Sequence, residues 1–195
     1  MSRAVGDRLA LARQQQFVGR AAELALFRSA LESAEVPFSV LYIFGPPGIG
    51  KTTLLRRFVS LCDQVGIPAY MLDGRATEAT PSAFLDALGQ LLELGAEQHC
   101  TAALRARAER QILLIDTYEA LAPLDPWLRE VFLPQLPVHV LVVLASRRPP
   151  ATSWQADPGW QSLLRVSALR NLTPGESCLY LARRGVPAAK HERVL

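Results

Sequence analysis

Gly45-Pro46-Pro47-Gly48-Ile49-Gly50-Lys51-Thr52-Thr53 follows directly on an apolar run, Val40-Leu41-Tyr42-Ile43-Phe44, so the junction reads strand, GxxxxGK[ST], helix. The spacing has a mechanical basis. Glycines let the backbone wrap around a phosphate chain without Cβ clashes, and successive N–H groups then point inward as an anion nest. A helix starting near Gly50 aims its positive end at the same phosphates. Lys51 reaches the β- and γ-oxygens, and the Thr52 hydroxyl is placed to ligate Mg²⁺. The lysine is conspicuous, because Lys51 and Lys190 are the only lysines among 21 basic residues. A glycine-rich turn with an incidental lysine is the competing reading. The complete match favours a site for ATP or ADP with Mg²⁺, lined by every residue from Gly45 to Thr53.

The rest of the composition narrows the setting. At 195 residues, half of them apolar and 20% charged, the chain has the make-up of a globular domain with a sizeable core. No apolar run approaches the roughly 18 residues of a membrane span, and the N-terminus lacks the apolar stretch of a signal peptide. The expected compartment is the cytoplasm. Cys62, Cys100 and Cys178 are odd in number and far apart, and with no CxxC or Cys/His cluster they suggest neither a disulfide framework nor a zinc site. Net charge is +3, but the arginine pairs are dispersed, so direct DNA contact by this segment is not expected.

Apolar periodicity alternates between strand-like and helix-like along the chain. Strands are expected at 39–44, 69–72, 111–116, 138–144 and 163–168. Helices are expected over 20–34, from Lys51 to about Val65, from Pro81, around 101–110 and over 117–132, the last interrupted early by Pro123 and Pro126. Thr173, Pro174 and Glu176 form an N-cap, first-turn proline and capping-box set, and Gly185 stops the helix they start. A further helix is expected after Pro187, with the sequence ending inside it, as in a fragment of a longer polypeptide. This alternation predicts an α/β fold of three αβα layers with a five-stranded parallel sheet, and the Gly45–Thr53 loop makes the expected fold that of a P-loop NTPase. The expected division is an N-terminal helix at 1–16, a core at 17–172 that carries the phosphate loop, and a further helical segment at 173–195. Ligands of such sheets lie at the carboxyl ends of the strands, where Gly45–Thr53, Asp116 and Ser146-Arg147 fall.

Ile112-Leu113-Leu114-Ile115-Asp116 supplies a carboxylate at the end of a buried strand, able to complete the Mg²⁺ shell that Thr52 begins. Glu119, three residues on, could orient or deprotonate an attacking water; an exposed glutamate complementing a helix start is the rival reading. Arg147 ends the next strand and could register a γ-phosphate, or could equally cap or decorate the surface.

Phe17-Val18-Gly19-Arg20 followed by Glu23-Leu24 resembles the FVGRxxEL segment that precedes the phosphate loop in AAA+-related ATPases and in bacterial ATPases of the STAND class. Together with GPPGIGKTTLL, LLIDTYEAL and VLASR, the resemblance covers about residues 15–195. It implies that Val18, Gly19 and Arg20 pack against adenine, and that Arg147 matches the γ-phosphate-sensing arginine. Typical AAA+ motors place the catalytic glutamate directly after the magnesium aspartate. Here Thr117 holds that position and the acid is displaced to Glu119, a spacing similar to the NACHT-type Walker B segment. The later stretch LRNLTPGESCLYLARRGV, residues 169–186, resembles the segment that leads from the last strand into the helical lid, which implies that 173–195 begin that lid.

The function these residues imply is an ATP-binding, slowly hydrolysing regulatory switch within a larger signalling or transcription-regulator protein. Lys51, Asp116, Glu119 and Arg147 would carry the chemistry, with Thr52 and Asp116 on the metal. Expected partners are nucleotide, further domains of the same polypeptide and other copies of the chain, with no membrane. Three alternatives stand beside it: an AAA+ ATPase acting on DNA, of origin-recognition or clamp-loader type; a nucleotide-binding scaffold that never turns over; and a small-molecule kinase using Asp73-Gly74-Arg75 at its acceptor.

Overall fold

The structure is a computed structural model that describes residues 5–95 and 98–187. The chain divides into two compact units, Glu23–Leu169 and the pair of segments Met1–Ala22 with Arg170–Leu195.

The larger unit is built on five parallel strands: β1 (Val40–Phe44), β2 (Ala69–Asp73), β3 (Gln111–Asp116), β4 (Val140–Ser146) and β5 (Leu164–Ala168). Their spatial order is β2-β3-β4-β1-β5. This is the expected three-layer α/β arrangement. β3 and β4 are buried at every position, as near-continuous Ile, Leu and Val runs require when both sheet faces are covered.

Strand alternation assigns the layers. Tyr42, Leu113, Ile115, Val142 and Leu144 share one core with Phe84 and Leu88 of helix α4 (Pro81–Leu91), Leu104 of α5 (Cys100–Ala106) and the segment 118–133. On the second face lies α3 (Lys51–Val65), which buries Leu54, Leu55, Phe58, Leu61 and Cys62. Phe27 of α2 (Ala21–Glu32) stacks on Phe58, ring centroids 3.9 Å apart.

Several boundaries differ from the periodicity reading. Arg20 has φ +63°, so α2 starts after it. The strand expected at 138–144 begins at Val140, because Val140 N–H closes a turn on the Pro137 carbonyl and Val138 is 88% exposed. Helix α5 stops at Ala106, well short of 110. The stretch expected to be a helix over 117–132 is instead a 3₁₀ segment at Tyr118–Leu124, a single α turn, α6 (Asp125–Trp127), and π and 3₁₀ turns to Gln135. Pro123 and Pro126 explain this, since each removes a backbone donor. The proline- and tryptophan-bearing stretch after β4 holds two short helices, α7 (Thr152–Ala156) and α8 (Pro158–Leu163). Asp157 caps the second by accepting from the Gly159 and Trp160 amides.

In the smaller unit, α1 (Val5–Gln15) leads to the Phe17–Arg20 turn, and α9 (Pro174–Arg183) carries the expected capping box between Thr173 and Glu176. The Arg183 guanidinium donates to the Gln15 and Phe17 carbonyls. Arg20 donates to the Arg170 carbonyl at 2.7 Å. The helix expected after Pro187 lies outside the described residues. Among the described residues no helix is long and apolar enough to cross a membrane.

Candidate nucleotide site

The loop after β1 folds as its glycines permit. Gly48 and Gly50 have φ of +78° and +98°, the left-handed region that side chains avoid. Helix α3 then begins at Lys51 with Gly50 as its cap and no side-chain cap, leaving its first amides for another acceptor. Pro46, Pro47 and Gly48 are exposed, Ile49 and Gly50 half-buried, and Thr53 exposed. The Lys51 ammonium folds back and donates to the Gly45 and Pro46 carbonyls at 2.7 and 3.0 Å. Burial pulls its pKa below the ordinary lysine value, while the Glu119 charge pulls the other way.

Thr52 Oγ1 donates to Asp116 Oδ2 at 2.6 Å, so the two sequence-assigned metal ligands adjoin. Asp116 is 3% exposed, and its other oxygen accepts the Thr117 amide at 2.9 Å. A hydroxyl and a carboxylate are hard oxygen donors suited to Mg²⁺, which typically takes few protein ligands and completes its shell with phosphate and water. The donor set fits that ion.

Beyond Asp116 the chain turns sharply. Thr117 has φ +53°, an unusual conformation for a β-branched residue, and lies against the end of β2. A Cβ on Gly74 would sit 2.7 Å from the Thr117 carbonyl oxygen, so this approach requires glycine. On either side of Gly74, Asp73 and Arg75 form a two-pronged ion pair, 2.8 Å at its shorter contact. Arg75 holds the Asp73 carboxyl below its usual range.

The turn delivers Glu119 to Arg147. Glu119 Oε1 accepts from Arg147 Nε at 2.8 Å and Oε2 from the Arg147 backbone amide at 3.1 Å, so both oxygens are engaged. The glutamate is largely shielded and the arginine side chain 56% exposed. The structure thus brings Lys51, Thr52, Asp116, Glu119 and Arg147 to the carboxyl ends of β1, β3 and β4. Val18, Gly19 and Arg20 belong to the smaller unit. There Val18 and Arg20 are buried, and a Cβ on Gly19, itself at φ +74°, would meet Glu176 Oε1 at 2.8 Å.

Spacing did not reveal the polar group behind Glu119. Asp125 Oδ1 accepts from the Tyr118 hydroxyl at 2.7 Å and from Trp154 Nε1 at 2.9 Å. Asp125 lies within the stretch expected to be helical over 117–132, and nothing local points to Trp154 as its partner.

The AAA ATPase domain family model matches residues 16–174. No curated protein matches the chain. In fold it is similar to Drosophila ORC bound to DNA, with a TM-score of 0.68 at 20% identity over 90% of this chain and 49% of that one. It is also similar to Cdc6p from Pyrobaculum aerophilum (TM-score 0.62, 18% identity, 86% and 51% covered). A third is the ORC1 protein of Aeropyrum pernix in complex with DNA (0.60, 17%, 89% and 53%). At these identities the likeness is one of fold, and the chain spans about half the length of the structures it matches.

Proposed function

The chain belongs to the AAA ATPase domain family, and from that premise we propose that it is a switch that binds ATP with Mg²⁺ and hydrolyses it slowly. The observation that carries this reading is the engagement of both Glu119 oxygens by Arg147. A general base must be free to accept a proton. Glu119 so held is not free. Arg147 is also the residue assigned to the γ-phosphate, so one guanidinium serves two anions in turn. ATP offers that phosphate and draws Arg147 away, whereas ADP does not. This is the differential contact a two-state switch requires. An ion pair this accessible is worth about 0–1 kcal/mol, so it yields readily to a phosphate.

In the same proposal Lys51 exchanges the Gly45 and Pro46 carbonyls for phosphate oxygens, a stronger charge-assisted pairing. Thr52 and Asp116 would hold Mg²⁺, which when bound neutralises charge on the β- and γ-phosphates. Val18, Gly19 and Arg20 are assigned to adenine. A STAND-class parent that signals or regulates transcription is the finer form of the proposal. Its support is the FVGR segment and the displaced acid at Glu119.

The test is titration with ADP and with a non-hydrolysable ATP analogue. The wild type is expected to separate the two by about 5- to 150-fold, a typical coupling range. Arg147→Ala is expected to bring the affinities together; an unchanged ratio in that variant contradicts the gate.

A second reading has its own observation. Drosophila ORC and Aeropyrum ORC1, both similar in fold, are DNA complexes. In that reading the domain couples ATP to DNA engagement by a larger assembly. ATP-dependent binding of duplex DNA that weakens steeply with salt would favour it over the signalling role.

A further inference from the structure

Two ties join the same two stretches of chain. At the site, Glu119 holds Arg147. Behind it, Asp125 accepts from Trp154, seven residues after Arg147, and from Tyr118, the residue before Glu119. The settings differ. Trp154 is fully buried and Tyr118 is 3% exposed, whereas the arginine of the outer tie is open to water. Tyr42 of β1 packs edge-on against both rings, centroids 5.8 Å from Tyr118 and 6.4 Å from Trp154. Burial and the Asp125 charge raise the Tyr118 phenol above its ordinary pKa, so it remains a donor. Hydrogen bonds from shielded donors to a carboxylate hold better than an exposed ion pair.

We propose that Asp125 is a positioning residue for the hydrolytic site, a fixed inner brace that keeps residues 146–154 docked against 117–125 while the outer Glu119–Arg147 tie opens and closes. The brace defines where Arg147 stands when it releases Glu119, and so how well it separates ATP from ADP. Asp125 touches neither nucleotide nor water in this role. It acts through Tyr118 and Trp154.

The inference deepens the switch reading and rests on it only for its nucleotide arm. Hydrogen exchange, measured without added nucleotide, tests the brace by itself. In Asp125→Ala the amides of 147–153 are expected to exchange about tenfold faster or more, with β1 and β3 amides unchanged. Asp125→Asn, whose amide oxygen accepts both bonds, is expected to exchange like wild type. Trp154→Phe loses one donor but keeps a ring, and is expected to fall between them. In the nucleotide arm, Asp125→Ala is expected to lose most of the ATP-over-ADP preference with ADP affinity held within about threefold. Unchanged exchange at 147–153, or acceleration spread evenly over the sheet, overturns the inference. A wild type that binds no nucleotide, or does not separate ATP from ADP, overturns the switch reading, and exchange still decides the brace.

Discussion

The phosphate loop and the strand-end cluster adjoin, yet they are specified differently. Residues 45–53 are contiguous, and their geometry follows from which positions are glycine and where the helix begins. The cluster is drawn from 73–75, 116–125 and 146–154, and the ties that join its last two segments link residues 28 and 29 positions apart. The loop therefore depends on backbone conformation, and the cluster on tertiary packing. A substitution should fail for different reasons in the two places.

The largest expected effect belongs to the loop. Lys51→Ala removes the charge assigned to the phosphates and is expected to weaken nucleotide binding about 10- to 100-fold by calorimetry, with the thermal midpoint little changed. An affinity within twofold of wild type would remove Lys51 from the site. Next comes a pair of glycines. Gly74→Ala places a Cβ 2.7 Å from the Thr117 oxygen and is expected to cost about 1–3 kcal/mol in urea unfolding. Gly48→Ala meets no atom within 4 Å and is expected to cost only the left-handed backbone penalty, about 1–2 kcal/mol. Equal effects on nucleotide binding and on stability in both variants would erase the contrast between the regions.

A pH effect separates both regions from the core beneath them. Burial raises the Cys62 thiol from its ordinary 9.0 to about 12. The folded thiol holds its proton more tightly than the unfolded one. Its contribution is complete below about pH 9 and declines towards about 12, by up to about 1.4 kcal/mol per pH unit. Unfolding of Cys62→Ala is expected to show a shallower alkaline decline; an identical slope would exclude the thiol as its source. The smallest effect is the outer tie. A double-mutant cycle on Glu119 and Arg147 is expected to give about 0.2–1 kcal/mol of stability, and more than about 2 would mean a structural bridge rather than a movable one.

The same contrast explains what could be read in advance. The loop, the five strands and the Thr173 capping box rest on local rules of glycine, periodicity and capping; all are present, with the fourth strand shifted two residues, from 138–144 to Val140–Ser146. Asp116 and Arg147 were identifiable as strand ends, but the pairing of Arg147 with Glu119 was not, because it depends on β3 and β4 being neighbours. The 118–135 stretch defeated periodicity. Its apolar spacing is helical, and only its prolines and the turn at Thr117 break it into short turns. Asp125 gave no signal at all, since both of its donors are aromatic residues that read as core.

Steady-state ATP turnover, in wild type and Glu119→Gln side by side, tests the central claim most directly. The account predicts wild-type turnover well below ~1 s⁻¹, falling about 100-fold or more in the variant while nucleotide is still bound. Wild-type turnover at or above ~1 s⁻¹, or turnover undiminished in Glu119→Gln, would contradict a slow switch gated at Glu119.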